Sequence, residues 1–284
     1  MIDEVQRRRL ERLAAELRWH IVRMMGPGKA HHFGGSLSAA DIMTALYFYK
    51  MRLDPRDPRW PGRDRFIMSK GHSVPAQYVA LAMLGILDPE ELSTLKKMGS
   101  RLQGHPAMHL TPGIEGCTGA LGEGLSYANG MALAGRIQGA GYRVYCLLGD
   151  GELQEGQIWE AAMTAARHCL GEVTAILDQN RLKAMDESAC SKSMEPQAER
   201  WAAFGWAVRE IDGHDMQAIC DALDWAEGIS DQPTIVIAST IKCKGVSAFE
   251  NQAAFHNAAI TPEQFELALA ELDEKRNAAE TEVA

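Results

Sequence analysis

Residues 143–180 read RVYCLLGDGELQEGQIWEAAMTAARHCLGEVTAILDQN, an apolar run (143–148), a stretch of helical composition and a second apolar run (172–178). Runs of this length, apolar at nearly every position, are the pattern of strands buried on both faces. Two more, 206–211 and 234–239, follow with helix-like stretches between them. Strand, helix and strand in succession predict parallel pairing through helical crossovers. The expected fold class is α/β, a doubly wound and mostly parallel sheet covered on both faces. Ligands in such sheets bind beyond the carboxyl ends of the strands. There the first run ends in Gly149-Asp150-Gly151 and the second in Asn180.

The two glycines let the backbone approach a ligand closely, and Asp150 projects a carboxylate past its strand. Residues 152–179 suffice for one helix and one strand, so Asp150 and Asn180 would occupy adjacent loops and can converge on one cation. A hard divalent ion held by few protein oxygens suits a diphosphate, whose oxygens fill the vacant places of an octahedral shell. Without a ligand, the same residues read as a tight turn and an ordinary loop asparagine.

Upstream, Leu10, Leu13, Leu17, Ile21 and Met24 recur at three- and four-residue spacing, which predicts an amphipathic helix over 4–25 that Gly26-Pro27-Gly28 ends. A loop, KAHHFGGS (29–36), comes next, then an apolar stretch over 38–49 and a segment that Pro55, Pro58 and Pro61 keep out of regular helix. Pro262 opens a last helix, expected to fade into a disordered tail, AAETEVA (278–284). With no repeat or linker, 1–284 reads as a single domain with a helical N-terminal extension.

Composition removes several functions. Asp plus Glu number 38 against 29 Lys plus Arg, a net charge of −9 that disfavours tracking nucleic-acid phosphates. No apolar run approaches the ~18 residues of a membrane span, and the opening MIDEVQRRRL lacks a secretory core, so a cytoplasmic location is expected. The six cysteines form no CxxC pair, which weakens zinc and dithiol chemistry. Five histidines, His31, His32, His72, His105 and His256, sit in loop contexts, most beside Gly or Pro. Histidine can donate to diphosphate and sugar hydroxyls and exchange protons near neutral pH, although each alone also reads as a surface residue. No HExxH spacing makes them a metal cluster.

The chain resembles the amino-terminal, diphosphate-binding half of transketolase, and specifically the short subunit found where that enzyme is split over two chains. The motifs that carry the likeness run in order: HFGGSLSAADI, RDRFIMSKGHS, GHP, TPGIEGCTGALGEGLSYANGMALAG, LGDGELQEGQIWEA, LDQN, DGHD and TIKCKGVSAFEN. The resemblance implies thiamine diphosphate and a divalent metal, Mg²⁺ or else Ca²⁺ or Mn²⁺. Asp150, Asn180 and the carbonyl of Leu182 match the metal-binding positions, and Gly149 and Gly151 flank the diphosphate. His72 and His256 match histidines that line the diphosphate and reaction centre, and His32 and His105 those that contact donor ketose hydroxyls. Gly119 and Leu121 match the segment against the aminopyrimidine ring. Glu155 and Glu160 match acidic residues near the subunit interface that take part in cofactor activation, and Glu155 at a helix start is favourable with no function at all.

Departures fall at His31, where a small residue is common, at Ala120 for proline, at Glu123 for glutamine, at Asn257-Ala258 for Gly-Lys, and near Lys183, where a glutamine is expected. They bear on sugar specificity. The glutamate that activates thiamine lies, in this family, on a pyrimidine-binding domain whose motifs do not occur in the sequence. The resemblance therefore implies a partner, a C-terminal subunit carrying that domain, with two copies of each chain, acting on a ketose and an aldose, commonly phosphorylated. A thiamine-dependent 2-oxoacid decarboxylase or dehydrogenase component and a non-catalytic relative are the alternatives.

Overall fold

The computed structural model describes residues 1–182 and 195–281. In chain order the elements are α1 (Glu4–Met25), β1 (Ala30–His31), α2 (Phe33–Ser38), α3 (Ala40–Ala45), β2 (Arg65–Met68), α4 (Val74–Met83), α5 (Gly124–Gln138), β3 (Val144–Gly149), α6 (Gly156–Arg167), β4 (Val173–Gln179), α7 (Gln197–Ala203), β5 (Ala207–Asp212), α8 (Met216–Glu227), β6 (Thr234–Ser239), β7 (Ala258–Ala259) and α9 (Pro262–Thr281). Five strands form one all-parallel sheet in the order β2-β3-β4-β6-β5, and β1 pairs with β7 in a small antiparallel ribbon.

Period-two geometry explains the unbroken apolar runs. Tyr145, Leu147, Ile176 and Val236 enter a core shared with α1, α3, α4 and α8, whereas Val144, Cys146, Leu148, Ala175 and Ile237 enter a second core beneath α5, α6 and α7. The four expected strands stand within a residue or two of their expected ends. Trp206 falls just outside β5, and its indole N–H donates to Ala162 O at 3.0 Å.

The structure differs from expectation at four places. β2 is an additional strand, too short to register as a run after the proline-rich segment. Residues 33–36 of the expected loop are helical and buried. The first helix is no appendage: Asp3 caps it, accepting from Gln6 N at 2.7 Å, and Leu10, Leu17, Ile21 and Val22 are fully buried in the sheet's own core. Helix α9 continues to Thr281, four residues into the stretch expected to be a disordered tail, and residues 282–284 lie outside those described. Among the described residues no helix is long and apolar enough to cross a membrane.

Candidate active site at the strand ends

In the pairing of β3 with β4, Gly149 stands opposite Asp178, so the residues that follow share one rim. Asp150 Oδ1 accepts from Gly151 N at 2.7 Å and Oδ2 from Arg181 N at 2.5 Å, while Asn180 Oδ1 accepts from Leu182 N at 3.2 Å. Asp150 and Asn180 thus lie in neighbouring loops, one residue beyond paired strands. Burial, with Asp178 nearby, pushes the Asp150 carboxyl up to about 6. Its charged form is in want of a cation.

A cation lies nearby, short of direct contact. The buried Lys242 ammonium donates to Leu182 O at 2.7 Å and lies 3.3 Å from His256 Nδ1, close enough for its charge to favour the ionised Asp150. A second buried cation, Lys70, contacts Asp178 Oδ2 and donates to Gly35 O at 2.9 Å. Asp178 is fully buried. It accepts from Ser38 Oγ at 2.5 Å and from Thr240 Oγ1, drawing α2, β4 and the exits of β2 and β6 to one point. Burial alone would raise its pKa, but Lys70 and the two hydroxyls hold it lowered.

Glu152 is a second buried tie, accepting from Ser69 Oγ at 2.5 Å, Gly122 N at 2.9 Å and Gly149 N at 3.1 Å. Sequence reasoning missed Lys70, Asp178, Lys242 and Glu152. The signal it had for Asp178 and Lys70 was a lone charge at the end of an apolar run, in AILDQ and FIMSK.

The glycines of HFGGS, expected in a loop, serve close approach within a buried helix. A Cβ on Gly34 would lie 2.6 Å from Lys242 Cε, and one on Gly35 would lie 2.4 Å from Ser73 Oγ. That hydroxyl is buried and has no hydrogen-bond partner. A Cβ on Gly71 would meet the Thr118 carbonyl at 2.8 Å, and Gly119 holds φ +152 with His105 packed against it, so residues 118–122 are seated against the strand ends.

Three imidazoles converge above this floor, with ring centroids 4.9 Å apart for His32 and His72, 5.4 Å for His32 and His256, and 5.2 Å for His72 and His256. Burial, together with one another's charge and the lysines, lowers His32 and His256 to about 4 and His72 to about 2. All three are neutral at physiological pH. His105 is exposed beside Gly119, within electrostatic reach of His32 and His72.

Glu155, the residue at the N-terminus of α6, and Glu160 within it are both solvent-exposed and apart from the imidazoles' floor, although Glu155 faces Gly122. Leu121 is half-buried beside Gly122. Of the departures, His31 is buried with Nδ1 unpartnered, Ala120, Glu123 and Asn257 are exposed, and Lys183 lies outside the described residues.

The lowered imidazoles set a stability prediction. His31 (about 4), His32, His72 and His256 bind protons less readily in the folded chain than at the ordinary value of 6.5. Between roughly pH 6.5 and 4 the unfolded chain therefore holds more protons, and stability falls as pH falls through that window. From pH 6.5 to 5 the expected net loss is about 1–3 kcal/mol, allowing for solvent screening at half-exposed rings and for the opposite contribution of Asp150, whose raised pKa favours the fold as pH falls. Urea titrations at the two pH values measure it, and equal midpoints would contradict the burial of these rings.

Two buried ammonium groups, a buried carboxylate of raised pKa, an orphaned hydroxyl and neutral imidazoles at the mouth of a parallel sheet form a donor set that a polyanionic cofactor such as thiamine diphosphate fits. Residues 11–276 match the family described as the transketolase thiamine diphosphate binding domain, and the chain belongs to it.

The chain is 43% identical over 244 residues to the 6-deoxy-6-sulfo-D-fructose transketolase subunit SqwG of Clostridium sp. (strain MSTE9), covering 86% of this chain and 89% of that one. It is 42% identical over 266 residues to an apulose-4-phosphate transketolase subunit of Phocaeicola vulgatus, covering 94% of each. It is 40% identical to human transketolase over 255 residues, of which it spans only 40%. The crystal structure of Pichia stipitis transketolase with sedoheptulose-7-phosphate superposes with a TM-score of 0.83 at 28% identity, over 99% of this chain and 45% of that one.

Proposed function

We propose that this chain is the thiamine diphosphate-binding subunit of a two-chain, Mg²⁺-dependent transketolase that moves a two-carbon ketol unit from an anionic ketose to an aldose in the cytoplasm, two copies of each chain forming the enzyme. The observation that supports this best is the buried Lys242 ammonium, held on Leu182 O beside His256 and within electrostatic reach of Asp150. A polyanion with its metal requires charge balance at that point. The names of two relatives, subunits of a sulfofructose and of an apulose-4-phosphate transketolase, support an anionic sugar.

Asp150, Asn180 and the Leu182 carbonyl would hold the metal, and the backbone at Gly149 and Gly151, with Lys70 and Lys242, would receive the diphosphate. Gly119 and Leu121 would border the aminopyrimidine, with Glu155 and Glu160 exposed toward the partner. The bound cofactor supplies carbanion stabilisation. His72 and His256 would flank its reactive face. His32, neutral at pH 7, keeps one ring nitrogen free to accept a proton from a sugar hydroxyl, and His105 would orient the donor.

Mixing the purified chain with a second chain carrying the pyrimidine-binding domain, thiamine diphosphate and Mg²⁺ is the test. The chain alone is expected to be inactive and the mixture active in ketol transfer. In that mixture His105→Ala should lower kcat/KM for the ketose by roughly ten- to a thousand-fold with cofactor affinity kept. Turnover by the single chain, or turnover of a 2-oxoacid in place of the ketose, would overturn the reading.

A further inference from the structure

The loop after β6 carries Lys242, and it is gripped on both sides by side chains outside the cluster of imidazoles and strand-end residues described above. The Ile241 N–H donates to His214 Nε2 at 2.8 Å, and Arg18 Nε donates to Lys244 O at 3.1 Å. These two side chains meet on Asp41. Arg18 Nη1 donates to Asp41 Oδ1 at 2.9 Å and Nη2 contacts Oδ2, while His214 Nδ1 lies 2.7 Å from the same Oδ2. Arg18 and Asp41 are buried, on α1 and α3, and His214 belongs to the DGHD segment after β5.

The proton arrangement is forced. A backbone N–H can only donate, so His214 Nε2 accepts and its ring proton is on Nδ1, where it donates to Asp41. The carboxylate stays ionised because Arg18 and His214 outweigh its burial. Its charge fixes the tautomer that presents an acceptor to the loop.

Packing leaves the loop no other course. A Cβ on Gly213 would lie 2.5 Å from Thr240 Cγ2, and one on Gly245, at φ +105, would lie 2.9 Å from Arg18 Cδ. Gly213 N donates to Ser239 O at 2.8 Å, His214 N to Asp212 Oδ1 at 2.8 Å, and Asp215 caps α8. Each residue of DGHD is thus used to seat one loop or start one helix.

We propose that Arg18, Asp41 and His214 are a positioning triad that fixes residues 240–245 so that Lys242 is aimed at the cofactor's anionic end. The proposal rests on the cofactor reading above. It concerns where Lys242 is held, since none of the three reaches the site itself.

Two substitutions at one position separate this role from general packing. In His214→Asn the amide nitrogen falls near Nδ1 and keeps the bond to Asp41, but nothing reaches Ile241 N. In His214→Gln the longer side chain brings an oxygen near the Nε2 position and restores that acceptor. With Mg²⁺ and the partner chain present, His214→Asn should weaken thiamine diphosphate binding about 5- to 20-fold by calorimetry, the size of one lost buried hydrogen bond. kcat at saturating cofactor should stay within about 3-fold, and His214→Gln should recover most of the affinity.

On a Lys242→Met background, His214→Asn should add almost nothing, because both changes act through one ammonium. Unchanged affinity in His214→Asn, equal losses in both variants that follow their melting temperatures, or full additivity with Lys242→Met would each overturn the triad. Failure of the wild-type complex to bind thiamine diphosphate would instead remove the cofactor reading, so the two are told apart.

Discussion

Asp178→Ala is expected to lower the unfolding free energy of the chain by about 3–5 kcal/mol, read as a lowered urea midpoint at constant slope. The carboxylate is fully buried and balances Lys70, itself buried, while accepting from Ser38 and Thr240. Removing it leaves an ammonium out of water with only the Gly35 carbonyl for company, and two hydroxyls lose their acceptor. A loss below about 1 kcal/mol would mean that water reaches Lys70 once the carboxylate is gone.

The second large effect falls one strand away and has the opposite character. Asp150→Ala, in the complex with its partner chain, is expected to reduce metal-dependent affinity for thiamine diphosphate by at least about 30-fold, or ~2 kcal/mol, since a charged ligand to a divalent ion disappears while the diphosphate stays anionic. The stability of the isolated chain should change by no more than about 1 kcal/mol, because burial already makes ionised Asp150 unfavourable when no metal shares its charge. Calorimetry with and without Mg²⁺ measures the first quantity and urea titration the second. Unaltered cofactor affinity would take Asp150 out of the metal site. On the proposed reading, then, Asp178 would hold the fold together and Asp150 would serve the metal.

Much of the rim was legible because its signals are local. Apolar runs that end in GDG and DQN mark strands and their exits, and a parallel crossover then brings Asp150 and Asn180 into adjacent loops without further information. The rest depends on distance in sequence. Lys70 and Asp178 are 108 residues apart, and neither motif hints at the other. Gly34 and Gly35 read as part of a loop, yet they lie in buried helix, and Lys242 and Ser73 occupy the space a side chain there would need. His32, His72 and His256 read singly as loop residues, and only the folded chain brings their rings within about 5 Å. Helix α9 outran its expected end because its polar composition hides the seam along α1 in which Ala268 and Leu272 are buried.

The strand order carries a consequence for the way the chain is made. Among the described residues β5 pairs only with β6, which follows it in the sequence, while β4, completed earlier, belongs next to β6 and not to β5. During synthesis β5 emerges with no neighbour to join and must remain unattached until β6 inserts between it and β4. An idle strand is an invitation to pair with another nascent chain. β5 is accordingly the least apolar strand of the large sheet: Arg209, Glu210 and Asp212 break its sequence, and none of its residues is fully shielded even in the finished fold. Two of those charges also serve the finished fold, Arg209 donating to Asp221 O at 3.0 Å and Asp212 accepting from His214 N at 2.8 Å. Because β5 ends as the outer strand of the sheet, the same charges guard its free edge in the finished fold as they would on the nascent chain, before the loop that brings Lys242 has been made.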